Sequence, residues 1–480
     1  MRAITHRSGD CADGAVYRTL RSGDCADGAV YLTRTAARSA AAAVAVVLLT
    51  ATPAVGQTPW TLEQCIEHAV SHNISLKQQE ANVEKQGLQL STARNSRLPD
   101  LNASVGENVS FGRGLTADNT YSNTNTTSTN FSVSTSVPLF TGNRIPHQIK
   151  LSQLNLEAST YDLEKARNDI STQVAAQYVQ VLYDMEMLDV ARRQVSIDSA
   201  QVARLQSMVG VGRSSRAELS QQEATLAQSR LTVTQGESNL RLSLLTLAQL
   251  LELDSTEGFS IERYADRLKE AADADRYIVP RADDVYAEAC AMRPELRAEQ
   301  LRLSAAEHSI SIARSALLPQ LSFSAGLGTN YYTTSGFAND GFGRQLKNNF
   351  SQYLGLNLSI PIFNRFQTRN SIRSARLDHT QQQLQVEQTR KQLYKEIQQA
   401  CTNTVSAAQK TRSCVVARQA ADDAFQLVRA RYEQGIATPT EFNEAKNTLM
   451  KTESDLSQAR YEFLYQKALI LFYRGLPLHL

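Results

Sequence analysis

Apolar residues recur every seven positions over two long stretches of this chain. One lane runs Val174, Val181, Leu188, Val195, Val202; the other runs Val386, Leu393, Ala400, Ala407, Cys414, Ala421, Val428. A sustained seven-residue period marks the seam of supercoiled helices. Residues 144–208 contain no glycine, and their one proline, Pro146, lies at the start. A single helix of roughly 97 Å is therefore predicted there, at 1.5 Å per residue, and a second over about 366–434. Each stretch ends in a break, at "VGVGRSS" (Val209–Ser215) and "QGIATPT" (Gln434–Thr440). Glycine releases a helix because it adopts the left-handed conformation without strain, which assigns the turns to Gly212 and Gly435. In the second break Thr438 or Thr440 can cap the next helix, with Pro439 tolerated in its first turn. A return lane follows each break: Leu219, Leu226, Val233, Leu240, Leu247 in one case and Phe442, Leu449, Leu456, Phe463, Ile470 in the other. Each return helix is expected to run about 40 residues.

A period of two governs four shorter segments. Leu101, Ala103, Val105, Val109 and Phe111 alternate with polar residues, as do Phe131, Val133, Thr135, Val137 and Leu139. The same holds for Leu321, Phe323, Ala325 and Leu327, and for Leu354, Leu356, Leu358, Ile360 and Ile362. Strict alternation predicts strands with one apolar face. Segments of roughly 9–12 residues match the 9–11 that a tilted strand needs to cross an outer membrane. The polar stretches between them, Thr116–Asn130 and Thr333–Asn349, read as long external loops. Ahead of the first strand "TLEQ" (Thr61–Gln64) is a capping box, and a helical pattern continues to Arg97.

The two halves carry one plan. Pro99 and Pro319, within "SRLPDLNAS" and "ALLPQLSFS", are 220 residues apart; Pro138 and Pro361, Gly212 and Gly435, Glu218 and Glu441, and Leu253 and Leu476 are each 223 apart. The expected organisation is a leader at 1–56, a first repeat at 57–253, a charged link at 254–282 and a second repeat at 283–480. In the leader, "RSGDCADGAVY" occurs twice in tandem and reads as an upstream start or a recent duplication. Arg34 and Arg38, the apolar run Ala40–Ala51 and "TPAVGQ" then form a secretory signal peptide, with cleavage expected near Gly56 to leave Gln57 first. No other apolar run is long enough to span a bilayer as a helix, so the exported chain is either soluble or a β-barrel membrane protein.

Composition narrows the chemistry. The hydrophobic fraction is 42% with a single Trp, which suits long helices with small-residue seams. Formal net charge is +2; because residues 1–56 hold six Arg and four Asp, the remainder balances at 44 basic against 44 acidic residues. With no basic stripe to neutralise phosphates, nucleic acid is not an expected partner. Cys401 and Cys414 lie roughly 20 Å apart along one predicted helix and cannot bridge. Cys65 and Cys290 are either a disulfide or two buried small apolar residues. His68 and His72 stand at i, i+4, a spacing that can hold zinc, but "EHAVSH" lacks the metalloprotease order and shows no third ligand. "FGRG" (Phe111–Gly114) is a strand-end glycine pair. No cofactor, metal or catalytic site is indicated, and no enzyme is expected.

Four strands cannot close a barrel with a lumen, and open edges are not tolerated in lipid. Several chains must therefore share one wall; three would supply twelve strands and a helical cylinder below them. These features point to a conduit. The paired "LPxL" motifs (Leu98–Leu101, Leu318–Leu321), the "VPLF" and "IPIF" strand ends, the "GxxxxxE" turns (Gly212–Glu218, Gly435–Glu441) and the closing "LYQKALILFYRGLPL" resemble the TolC-like outer-membrane efflux proteins over the whole mature chain. That resemblance implies a mainly α fold with a membrane β-barrel: four strands per protomer, a homotrimeric twelve-stranded barrel and a coiled-coil helical barrel in the periplasm. It also implies docking to an inner-membrane pump through a periplasmic adaptor (membrane fusion) protein.

The resemblance places acidic residues of a closed periplasmic entrance at Glu441 and Glu444, with Glu218 at the equivalent of Glu441 in the first repeat. In a trimer they would form carboxylate rings that favour cations and whose crowding raises some pKa values. Against that stands a purely structural reading, since glutamates in a first turn suit the helix dipole. Tyr432 matches a family position that ties the entrance shut, or it is a packed aromatic. The family carries an arginine where this chain has Ala437, so the closing links must differ; Arg213, Arg216, Arg429 and Arg431 are candidate substitutes or solvated charges. The alternatives to small-molecule efflux are protein secretion or metal export by the same kind of conduit, and a trimeric coiled-coil stalk, adhesin or adaptor.

Overall fold

A computed structural model of the chain describes residues 59–115, 119–263 and 277–479. The leader, the signal peptide with its cleavage zone and residues 264–276 of the charged link lie outside these. The described chain runs α1 (Leu62–His72), α2 (Ile74–Asn95), β1 (Asp100–Leu115), β2 (Tyr121–Phe140), α3 (Arg144–Gly210) and α4 (Arg216–Leu250). It continues α5 (Ala282–Met292), α6 (Pro294–Ser315), β3 (Gln320–Thr334), α7 (Phe342–Asn348), β4 (Ser351–Ser359), α8 (Gln367–Glu433) and α9 (Pro439–Tyr473).

The long helices α3 and α8 are 67 residues each, about 100 Å. Their seven-residue lanes face inward: Val174, Val181, Leu188 and Val202 are buried on α3, and Val386, Leu393, Ala400, Ala407 and Ala421 on α8. Each begins at a sharp corner where two successive residues take the left-handed conformation, Gly142 and Asn143 before α3 and Arg365 and Phe366 before α8. At Gly142 a Cβ would press within 2.7 Å of the Ser315 carbonyl, so the corner needs glycine for space as well as for φ. The return helices α4 and α9 are 35 residues each, shorter than the expected 40.

The opening helix is not continuous to Arg97. It breaks at Asn73, which ends α1 and caps α2 by accepting from the N–H groups of Ser75 and Leu76 at 2.9 and 3.3 Å. Arg293 and Pro294 make the corresponding break between α5 and α6. Thr61 and Gln64 form the expected capping box. Tyr178 of α3, fully buried, fixes the segments around α1 by donating to the carbonyls of Trp60 and Glu262. His68 and His72 stack on each other with Trp60 edge-on to His68. Among the described residues no group of three or more His, Cys, Asp or Glu is placed to hold a metal ion. The four described cysteines are free, with Cys65 and Cys290 in different apolar clusters, so they do not pair.

The strands form one antiparallel sheet in the order β1-β2-β3-β4. Register lines up the apolar face across all four: Leu101 opposes Thr135, which opposes Ala325, which opposes Leu354; Val137 opposes Phe323, which opposes Leu356. Three strands outrun the expected length, with 16, 20 and 15 residues, and β4, at 9, falls within it. Most of the expected loop Thr116–Asn130 is strand: Tyr121–Asn130 pairs residue by residue with β1. Backbone pairing decides here, because alternating Asn, Thr and Ser fill a solvated ladder as readily as a loop. The second expected loop, Thr333–Asn349, contains α7. Gln345 of α7 bonds both backbone groups of Tyr332, donating to its carbonyl at 2.8 Å and accepting from its N–H at 3.0 Å.

Candidate functional site: the hairpin tips

The two tips end their long helices alike. Gly212 (φ 73°) and Gly435 (φ 77°) are left-handed. At the first tip the N–H groups of Gly212 and Arg213 donate to the carbonyls of Val209 and Met208; at the second those of Gly435 and Ile436 donate to Tyr432 and Arg431. Both are Schellman closures, which satisfy the last carbonyls of the helix. The next helix is capped at once. Ser215 accepts from the N–H of Glu218 at 3.1 Å, and Ser214 donates to the Glu218 carboxylate at 2.6 Å. Thr438 is the cap of α9, not Thr440: its hydroxyl accepts from the Glu441 N–H at 3.2 Å, while the Glu441 carboxylate accepts from the Thr438 N–H at 2.7 Å. Pro439 occupies the first helical position.

Glu441 is thus exposed and engaged in a capping box, and the Thr438 N–H and then its hydroxyl hold its carboxyl below the usual range. Glu444, one turn on, is exposed. Tyr432 is a packed aromatic within the protomer, 9% exposed. Its ring stacks on Phe442 with centroids 4.9 Å apart, and Phe442 meets Phe425 at 5.6 Å. Burial first, then the nearby Glu218 charge, push the Tyr432 hydroxyl up, against the pull of Arg204.

Arg204 is the first group that sequence reasoning missed. It reaches from α3 to the end of α8, donating to the Glu433 carbonyl at 2.9 Å and covering the Tyr432 ring at 5.4 Å. The arginines proposed as substitutes lie elsewhere: Arg429 pairs with Glu433 on its own helix at 3.0 Å, and Arg213, Arg216 and Arg431 are exposed. The second missed feature is a buried ion pair between Asp198 of α3 and Lys446 of α9, 0% and 1% exposed. Asp198 also accepts from Gln194 at 3.1 Å, Gln222 at 3.3 Å and Ser229 at 2.5 Å. Lys446 also donates to the Asn443 side-chain carbonyl at 3.2 Å, and Asn443 donates to Gln222 at 3.3 Å. A signal for this existed. Asp198 lies three residues after Val195 and four before Val202, and Lys446 four after Phe442 and three before Leu449, so each charge sits on an apolar seam.

Among known proteins, the outer membrane efflux protein family matches residues 65–252 and 285–470. The chain is 29% identical over 279 residues to the pyoverdine export outer membrane protein OpmQ of Pseudomonas aeruginosa, a stretch that covers 56% of this chain and about half (54%) of that relative. It is 22% identical over 427 residues to the outer membrane efflux protein BepC of Brucella suis, covering 87% of this chain and 86% of BepC. In structure it is similar to the outer membrane protein VceC of Vibrio cholerae, with a TM-score of 0.70 at 18% identity over 87% of this chain and 97% of that one.

Proposed function

The chain belongs to the outer membrane efflux protein family, and on that premise we propose that it is the exit duct of a tripartite efflux system. In this reading it passively conducts small molecules from an inner-membrane pump, engaged through a periplasmic adaptor, to the outside, and the pump supplies the energy. The observation that carries it is the state of the sheet. The outer edges of β1 and β4 have no strand beside them among the described residues, and the aligned apolar face is bare, with Leu354 79% and Phe111 75% exposed. A sheet with open edges and a bare apolar face is stable in lipid only when neighbours close it. Three copies joined β4 to β1 make the twelve-stranded barrel. Exposed leucines seven residues apart on α8, Leu377 and Leu384, offer a second seam to the neighbouring copy. The two repeats at 57–253 and 283–480 then play matching parts in the wall, and a signal peptide ending near Gly56 delivers the chain.

At the periplasmic mouth Glu441 and Glu444, with Glu218 from the other tip, form the ring of carboxylates that passing ions meet. The cap explains why Glu441 is present; its exposed charge lets it act on cations as well. The test is single-channel recording in planar bilayers. Glu441→Gln with Glu444→Gln keeps a capping acceptor but removes the charges, and is expected to lower cation selectivity and block by divalent cations. Unchanged selectivity would remove the two glutamates from the mouth. OpmQ, named for pyoverdine export, favours small-molecule cargo over protein secretion or metal export for this duct.

A further inference from the structure

The chain breaks between short helices at two equivalent joints, and they are built differently. At the first, Asn73 caps α2, and the neighbouring Ile74 N–H donates to Glu252, just past the end of α4, at 3.2 Å. At the second, Arg293 stands where Asn73 stands, and its side chain caps nothing. Its guanidinium lies instead over the rings of Phe472 and Tyr473 at the end of α9, 4.5 and 4.6 Å from their centroids. Arg293 is 9% exposed, and its Nε has no hydrogen-bond partner among the described residues. With those two rings it lines a cavity of about 630 Å³ between α3, α6, α8 and α9. We propose that this cavity binds a small zwitterion, an amino acid or short peptide, whose carboxylate meets Arg293 and whose ammonium meets Glu295 and Glu396.

Most charges around the cavity are already answered. Lys165 pairs with Asp169 on α3 at 2.8 Å. Arg302 is shared between Asp162 and Glu299. Three charges remain on the lining. Glu295 makes no hydrogen bond or ion pair among the described residues. Glu396 accepts from the neutral amide of Gln392 at 2.7 Å. Arg293 has its aromatic neighbours and no carboxylate. An anion in this cavity meets the two glutamates, and a cation meets the guanidinium. A molecule with both signs answers all three, through charge-assisted hydrogen bonds of the stronger kind. It also relieves a guanidinium held out of water without an acceptor, which is a costly state.

The first repeat shows that the joint itself does not call for these groups. The counterparts of Arg293, Glu295, Glu396, Phe472 and Tyr473, 220 or 223 residues earlier, are Asn73, Ser75, Gln173, Gln249 and Leu250. None is charged or aromatic, yet α1 and α2 break at the matching place. The guanidinium, the carboxylates and the rings are therefore explained by what enters the cavity. Asn168 of α3 marks its level, roughly 36 Å from the start of that helix and about 63 Å from its end. The site is thus separate from the carboxylates at the tips, and it does not rest on the exit-duct reading.

Isothermal titration of the purified full chain in detergent tests this with three probes. Alanyl-phenylalanine carries both charges, its C-terminal amide carries only the ammonium, and its N-acetyl form carries only the carboxylate. Wild type is expected to bind the free dipeptide at least about tenfold more tightly than either blocked form. Glu295→Gln is expected to weaken the free dipeptide and bring it within about threefold of the N-acetyl form. Arg293→Asn places the first joint's residue at the second and is expected to bring the free dipeptide as close to the amide. A merely structural role would weaken all three probes alike, and that result refutes the site. Equal binding of the three probes to wild type, or binding of none, overturns the proposal, as does tightest binding of the amide, which would make the cavity a site for cations. If Arg293→Asn does not fold, Glu295→Gln decides alone, and an unchanged preference for the free dipeptide refutes the site. Binding in detergent requires no conduction: absent binding in a conducting wild type refutes the site and leaves the duct, and a wild type that binds without carrying current refutes the duct and leaves the site.

Discussion

At the sheet, the apolar side chains of β1 and β4 stand open, Leu354, Leu356 and Phe111 among them; at the hairpin tips, Phe442, Tyr432 and Phe425 are closed away inside one chain. The polar groups follow the same contrast. Ser, Asn and Thr of the strands are largely solvated, whereas Asp198 and Lys446 near the tips are buried and bonded within the protomer. The sheet is a part that other molecules must finish, and the tip is finished alone. In the proposed duct, assembly energy is asked of the strand end, while each tip keeps its packing within one subunit.

The strongest way to break this contrast is to open the tip. Phe442 is 2% exposed and meets Phe425 and Tyr432. Phe442→Ala is expected to cost about 3–5 kcal/mol through the cavity it leaves, read as a lower melting temperature and denaturant midpoint of the helical signal. A cost below about 1 kcal/mol would mean that the tip has no closed core of its own.

The sheet is tested by two substitutions on one strand. Leu356 and its neighbour Asn357 are both exposed in the single chain, but they point to opposite faces. Leu356→Arg is expected to destabilise the membrane-inserted form by about 2–4 kcal/mol if the residue faces lipid near the midplane. Asn357→Arg, on the opposite face, which the proposed barrel turns to its lumen, is expected to fold and insert like wild type. Heat-modifiable migration after refolding into vesicles measures both. Equal effects at the two positions would mean that the alternation does not sort lipid from lumen.

Much of this was legible in the sequence because it is written locally. A seven-residue lane, a glycine turn and a capping threonine are each read within a few turns of helix; Val174 and Gly435 stand where those patterns put them, and of the two candidate caps Thr438 is the one used. The break at Asn73 was missed because the apolar spacing runs through it and only a side-chain cap marks it. The first half of β2 was missed because an Asn/Thr/Ser run has no apolar alternation to betray a strand; its partner β1 decides. The site was half legible. Gly212, Pro439 and Glu441 sit at the turns, and of its two readings Tyr432 takes that of a packed aromatic, against Phe442. Arg204 and the Asp198–Lys446 pair were invisible to motif reading, because the last two residues are 248 apart in sequence. Only the place of Asp198 and Lys446 on apolar seams marked that pair.

The smallest expected effect concerns the cap of α9, and it separates what Glu441 does for the tip from what it does for ions. Thr438→Ala removes the hydroxyl that accepts from the Glu441 N–H, with an expected cost of about 1 kcal/mol. The carboxylate half of the box answers to pH. Bonds from Thr438 hold the folded Glu441 carboxyl below its ordinary range. A lowered folded pKa means that the unfolded chain takes up the proton first, so stability falls with acidification. The contribution is complete above the unfolded value of about 4.3 and is lost as pH drops through the lower folded one. Glu441→Gln cannot titrate. The difference in melting temperature between wild type and Glu441→Gln should therefore be greatest near neutral pH and shrink steadily below that unfolded value. A difference that persists in acid would assign the cap to the side chain's shape and free the carboxylate's charge for the mouth alone.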